Sequence, residues 1–198
     1  LLFGMAVVEA ILERREGREW PQMPRSARFL YPALAAIGLP LFLSSLAPPT
    51  GVDYDSLAYH LAMPRLYLDH GRIYYVNFCH QSNFPFTMEM LYGVCLWAQG
   101  AQAARLLHLA AFIFGALSLF ALGRRLFNPV AGAYAAVVWV TVPLCQWQAA
   151  TTYTDIPDAF FSLLALYAVL AWAGGKDARW LALGGIALGL ALGTKMSS

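Results

Sequence analysis

Three stretches of the chain carry residues able to do acid–base or phosphate chemistry. The first is Gly51-Val52-Asp53-Tyr54-Asp55-Ser56-Leu57-Ala58-Tyr59-His60-Leu61-Ala62-Met63-Pro64-Arg65. Asp55 and Tyr59 are one helical turn apart and share a face with each other. A carboxylate at the mouth of a lipid-facing groove suits a general base, because partial desolvation raises its pKa toward the working pH. The plainer role for Asp53 or Asp55 is a helix N-cap. The second stretch is Thr151-Thr152-Tyr153-Thr154-Asp155-Ile156-Pro157-Asp158. There Asp155 fits an N-cap and Pro157 a first helical turn. Asp158 falls inside the apolar run that follows, where an ionisable side chain is costly and a functional candidate by default. The third is Lys195, at the end of the last apolar run, for which snorkelling to the interface is the plain role.

Other candidates are scattered through residues 48–102. Arg65 and Arg72 are the firm cations there, and either could hold a phosphate by paired hydrogen bonds. His60 and His80 could ligate a metal, although no motif links them. Asp69-His70-Gly71 reads as a helix end stopped by glycine. Cys79, Cys95 and Cys145 have no CxxC spacing and are odd in number, which implies buried thiols and no disulfide framework.

The elements that position these residues are set by composition. Of the 198 residues, 60% are hydrophobic and only 12% charged, about half the charged share of a soluble domain. That excludes a soluble globule, a disordered segment and a disulfide scaffold. The expected fold is all-α, a polytopic transmembrane bundle with spans near 29–46, 106–122, 130–145, 156–173 and 180–192. A long first outer loop, 48–102, carries interfacial helices. Residues 1–12 read as the tail of a cut span, so the chain is expected to be the N-terminal part of a longer transmembrane module. Gly184, Gly185, Gly189 and Gly193 would let the last helix approach its neighbours closely. The net charge of +2 comes without a basic, aromatic-interleaved block, so no nucleic-acid partner is expected.

The apolar stretch 86–97 decides the topology. If it spanned, the loop 14–28 (five arginines) and the Arg124-Arg125 turn would lie on opposite sides. If it is interfacial or re-entrant, 14–28, Arg124-Arg125 and Lys176/Arg179 share one side, with nine of the thirteen Lys and Arg. The positive-inside rule favours the second arrangement. Loop 48–102, Asp155 and Lys195 then converge on the extracytoplasmic side.

This order of features resembles the N-terminal module of the GT-C membrane glycosyltransferases. It has a first span, an outer loop opening with an acid and Asp-x-x-x-Tyr, an interfacial helix, and two spans joined by an Arg-Arg turn. An acid at the next outer connector and Gly-x-Ala-x-Gly-x-x-Lys-like spacing complete it. It is most similar to bacterial members of the group that holds protein O-mannosyltransferases and the lipid A aminoarabinose transferase. The resemblance runs from about Phe29 to Lys195. It implies that Asp55 is the first-loop catalytic acid with Asp53 as runner-up, that Asp155 helps shape the site, and that Lys195 lies near the donor phosphate. Asp53, Tyr59, His60, Arg65, Arg72 and Asp158 are the further substrate-binding candidates. Where aminoarabinose-transferase relatives carry a lysine in a Lys-Pro-Pro-like stretch, this chain has Asn83-Phe84-Pro85-Phe86. That leaves the phosphate contact to Arg65 or Arg72.

The implied activity is inverting transfer of one sugar from a polyprenyl-phosphate donor to a hydroxyl on a glycan, lipid or protein. It needs no cofactor, and a divalent cation is possible. The implied location is the bacterial inner (plasma) membrane, in contact with membrane lipid. A transporter is the competing expectation, since acids near helix ends also mark ion pathways. A non-catalytic membrane assembly subunit is the other.

Overall fold

A computed structural model describes residues 30–195. The expected span tail at 1–12 and the arginine loop at 14–28 lie outside the described residues. Among those described there is helix and no strand, an all-α membrane bundle. Its helices are α1 (Leu30–Leu46), α2 (Ala62–His70), α3 (Thr87–Gln99), α4 (Ala101–Leu126), α5 (Pro129–Thr141), α6 (Pro143–Ala149), α7 (Asp155–Gly175) and α8 (Ala178–Thr194).

α4 and α7, at 26 and 21 residues, are each long and apolar enough to cross a membrane. α1 and α8 have 17 residues each, about 26 Å of helix, slightly short of a hydrocarbon core of about 30 Å. The run expected as one span at 130–145 is broken instead. α5 and α6 meet at a 68° bend because Pro143 forces Val142 out of the helical region, to φ −66° and ψ 120°. The amide of Gln146 donates to the freed Val140 carbonyl at 2.8 Å, so the break leaves one less carbonyl exposed to apolar surroundings.

α4 also begins earlier than its apolar core suggests. Gly100, at φ 87°, turns the chain sharply from α3 into α4. Arg105 therefore lies inside the helix and is only 4% exposed.

Small residues set the helix spacing. A Cβ on Gly123 of α4 would stand 2.7 Å from the Cα of Gly132 on α5, so the two backbones touch. On α8, Gly184 faces Ala168 of α7 and Gly193 faces Thr87 of α3, whereas Gly185 and Gly189 look into open space. The α7–α8 seam is alanine on alanine, with Ala165, Ala168, Ala171, Ala187 and Ala191 buried. Such seams suit helix pairing in lipid, where close van der Waals contact replaces the hydrophobic drive.

This hairpin positions the site. α7 starts at Asp155, turns at Lys176 and Asp177, and α8 returns to end at Thr194. Lys195 is thereby delivered to the start of α7.

Candidate active site

The chain following α1 dips into the bundle before α2 begins. Residues 56–60 form a π-helical turn closed by Leu61 N–H to Ser56 C=O at 2.9 Å. Single π turns of this kind recur at functional sites. Leu57 and Ala58 face outward, while Tyr59 is half-buried and His60 buried. Buried groups on α3 and α4 hold this segment at both ends. Arg105 Nη1 reaches Asp53 Oδ2 at 3.4 Å, and its Nη2 donates to the Ser44 carbonyl at 3.0 Å. Asp53 Oδ2 also accepts from Thr50 N–H at 3.0 Å. At the far end His60 Nδ1 donates to Glu89 Oε1 at 2.6 Å, both side chains buried.

The 148–155 connector docks on the same segment. Thr152 N–H donates to Ser56 Oγ at 3.2 Å. The Tyr92 hydroxyl donates to the Tyr153 carbonyl at 2.7 Å and accepts from His108 Nδ1 at 2.7 Å. Tyr92 and His108 are completely buried, so this contact fixes the connector backbone from within. Burial, then the charges of Glu89 and Cys95, push the Tyr92 phenol well above its usual range, which keeps it a donor.

Asp55 lies where the two segments meet. It directly precedes Ser56, whose Oγ receives the Thr152 N–H, and lies one turn before Tyr59. The Tyr59 phenol is pushed far up, first by burial and then by the charge of Asp55. Tyr153 is raised by burial; the Asp55 amide works against that shift, and the charges of Asp55, Asp53 and Asp155 add to it.

Asp155 is not the N-cap expected from sequence. Thr154 holds that place, and Asp155 is the first helical residue of α7. Its carboxylate accepts from Lys195 Nζ and, through Oδ2, from Gln148 Nε2 at 3.0 Å. Asp155 and Lys195 are each 43% exposed at the side chain, open to a ligand. Asp158 is half-buried on the next turn of α7.

Some of the candidates stand apart. Arg65 pairs with Asp69 on the exposed face of α2, Nε to Oδ1 3.1 Å. Arg72 follows Gly71, which ends α2 at φ 65°, and its guanidinium lies 5.8 Å over the Tyr74 ring. There it lines a groove of about 500 Å³ with Tyr67, Leu68, Val94 and Trp97. His80 packs edge-on against Phe84 in a separate short turn. No three His, Cys, Asp or Glu side chains gather into a metal cluster among the described residues. Cys79, Cys95 and Cys145 are free and only partly buried.

Sequence reading singled out none of Glu89, Arg105 and His108 as site residues. A polar triplet spacing on each helix was the available signal: Glu89 and Tyr92 on α3, Arg105 and His108 on α4, each pair on one face.

The opposite end of the bundle is basic. Arg105 and Arg125 bound α4 about 30 Å apart at 1.5 Å per residue. Arg125 Nη2 donates to the Leu170 carbonyl at 3.2 Å, near the α7–α8 turn with Lys176.

Fold and site together define a polytopic membrane protein with its acids gathered at one end of the bundle. A family model described as dolichyl-phosphate-mannose-protein mannosyltransferase matches residues 86–198, and the chain belongs to that family. Membership assigns the chain to the membrane glycosyltransferases of the GT-C type, with a polyprenyl-phosphate sugar as donor. The matched region holds Glu89, Arg105, Asp155 and Lys195, while Asp53, Asp55 and Tyr59 precede it. No curated protein and no solved structure matches the chain.

Proposed function

We propose that the chain carries the general base and the phosphate-facing cation of an inverting glycosyltransferase. The observation that carries this reading is the docking of the 148–155 connector on the segment 53–60, Thr152 N–H to Ser56 Oγ at 3.2 Å, with Lys195 paired to Asp155 at the end of that connector. Asp53 is occupied by Arg105, so Asp55 is the carboxylate left to accept a proton.

Asp55 takes the proton of an acceptor hydroxyl on a glycan, lipid or protein. The acceptor oxygen forms its bond to the anomeric carbon from the face opposite the phosphate. The anomeric C–O bond breaks, and its electron pair leaves with the polyprenyl phosphate. Lys195 faces the developing negative charge on that phosphate. Asp155 and Gln148 keep Lys195 extended until the phosphate arrives. Arg65 and Arg72 stand outside this constellation, so Lys195 is the main cation for the donor. No divalent cation is required for these steps. The acid end faces the extracytoplasmic side of a bacterial plasma membrane, and the Arg124, Arg125, Lys176 and Arg179 end faces the cytoplasm, as the positive-inside rule favours.

The test is Asp55→Asn in the full-length protein in native membranes, with a polyprenyl-phosphate mannose donor labelled in the sugar. Loss of the base lowers transfer by at least about 10²-fold while donor binding persists. Undiminished transfer would remove Asp55 from the role.

A further inference from the structure

Two tyrosines flank the turn that starts at Asp55: Tyr59 within it, and Tyr153, whose neighbour Thr152 donates to Ser56 Oγ at 3.2 Å. His60 lies between those phenols, its ring centroid 4.1 Å from Tyr59 and 5.8 Å from Tyr153. An imidazole rotates about its terminal torsion in a broad well, so contact with two tilted rings does not by itself hold it. Glu89 does so, reaching across from α3 to His60 Nδ1 at 2.6 Å with both side chains at most 5% exposed.

Stability alone is a poor reason for this carboxylate. Glu89 Oε2 is buried without a hydrogen-bond partner among the described residues. Apolar side chains in place of both Glu89 and His60 would fill the same space at lower desolvation cost. What Glu89 supplies is orientation.

We propose that Glu89 is a positioning residue for the transfer step: through His60 it holds Tyr59 and Tyr153 where they aim Asp55 at the acceptor. The proposal rests on the reading of Asp55 as base. Glu89 touches neither donor nor acceptor, so its removal affects turnover and leaves donor affinity alone.

The experiment compares Glu89→Met and Glu89→Gln in the full-length protein, in membranes, with the polyprenyl-phosphate mannose donor. Gln keeps a carbonyl for the His60 N–H, and Met keeps the size without it. Met is expected to lower kcat at least about 10-fold with donor KM within about 2-fold, and Gln to stay within about 3-fold of wild type. Met leaves the His60 N–H without its buried acceptor, so the thermal midpoint of that variant should fall, and kcat is compared at a temperature where all three proteins are folded. A wild-type kcat in Glu89→Met, or a loss of kcat accompanied by an equal rise in donor KM, overturns the proposal. In an Asp55→Asn background Glu89→Met should lower residual transfer no further; a fully additive loss overturns coupling through Asp55. A readout independent of turnover is the fluorine spectrum of 3-fluorotyrosine placed at Tyr153. It should coincide in wild type and Glu89→Gln and shift or split in Glu89→Met, and three coincident spectra overturn the proposal. If Asp55→Asn is fully active, the base reading fails, and the fluorine comparison still decides whether Glu89 orders the rings.

Discussion

Lys195, the residue that closes α8, is ion-paired to Asp155, the residue that opens α7. The two are 40 positions apart and meet because an antiparallel hairpin of matched helices lies between them. With both side chains 43% exposed, such a pair contributes at most about 1 kcal/mol to stability. Lys195→Met should therefore leave the thermal midpoint within a few degrees of wild type while weakening use of the lipid donor more than use of the acceptor. Donor and acceptor titrations of the variant check this. Equal donor dependence in variant and wild type would place the phosphate elsewhere.

The sidedness of the bundle is open to chemical labelling. A single cysteine at Asn77, in a background without Cys79, Cys95 and Cys145, should react with an impermeant maleimide from outside. One at Phe127 should react only after lysis. Phe127 is 76% exposed and serves better than its neighbour Asn128, whose side chain caps α5 by accepting from Ala131 N–H at 2.9 Å. Labelling of both from outside would contradict the arrangement.

Arg105 and Asp53 form a buried pair, and breaking it by one partner should cost about 3–5 kcal/mol. Arg105→Met alone should lower the yield of folded protein sharply. Adding Asp53→Leu should recover part of that loss, because no uncompensated carboxylate then remains. Size-exclusion profiles in detergent compare the three proteins.

Gly132 has no room for a methyl group, since its Cβ would run into the Phe120 carbonyl of α4. Gly132→Ala should destabilise by about 1–3 kcal/mol through forced separation of α4 and α5. Gly189→Ala, which meets nothing within 4 Å, is the control and should be neutral.

The Tyr59 phenol is raised by burial and by Asp55, which fixes the sign of an alkaline effect. In the unfolded chain tyrosine ionises near pH 10, whereas in the folded protein Tyr59 stays neutral beyond that. Its contribution to stability is complete below about pH 10 and is lost as pH rises toward the folded value. Thermal midpoints between about pH 9 and pH 11 should fall less steeply in Tyr59→Phe than in wild type. Parallel curves would argue against a Tyr59 phenol held neutral by burial beside Asp55.

Sequence alone placed apolar runs near 29–46, 156–173 and 180–192, and helices lie there at 30–46, 155–175 and 178–194, because uninterrupted apolar runs bounded by proline, glycine or charge read directly as helix. The proline at 143 was equally visible, but composition cannot tell a kinked span from a broken one. Counting Arg105 as a boundary shortened α4, since a charge inside an apolar helix is legible only with its partner, and Asp53 is 52 positions away. The partners of Glu89 and His108 were hidden for the same reason. Asp55, Tyr59, Asp155 and Lys195 were readable as chemical candidates, whereas the docking of Thr152 on Ser56 and the pairing of Lys195 with Asp155 depend on packing that no local pattern encodes.

The α7–α8 hairpin also imposes a schedule on biogenesis. Asp155 emerges from the ribosome 40 residues before Lys195, about 2–8 s earlier at ordinary translation rates. For that interval the acid must stay hydrated, which favours holding the head of α7 at the water boundary until α8 has followed it into the bilayer. Closure of the ion pair then marks the moment at which the hairpin is complete.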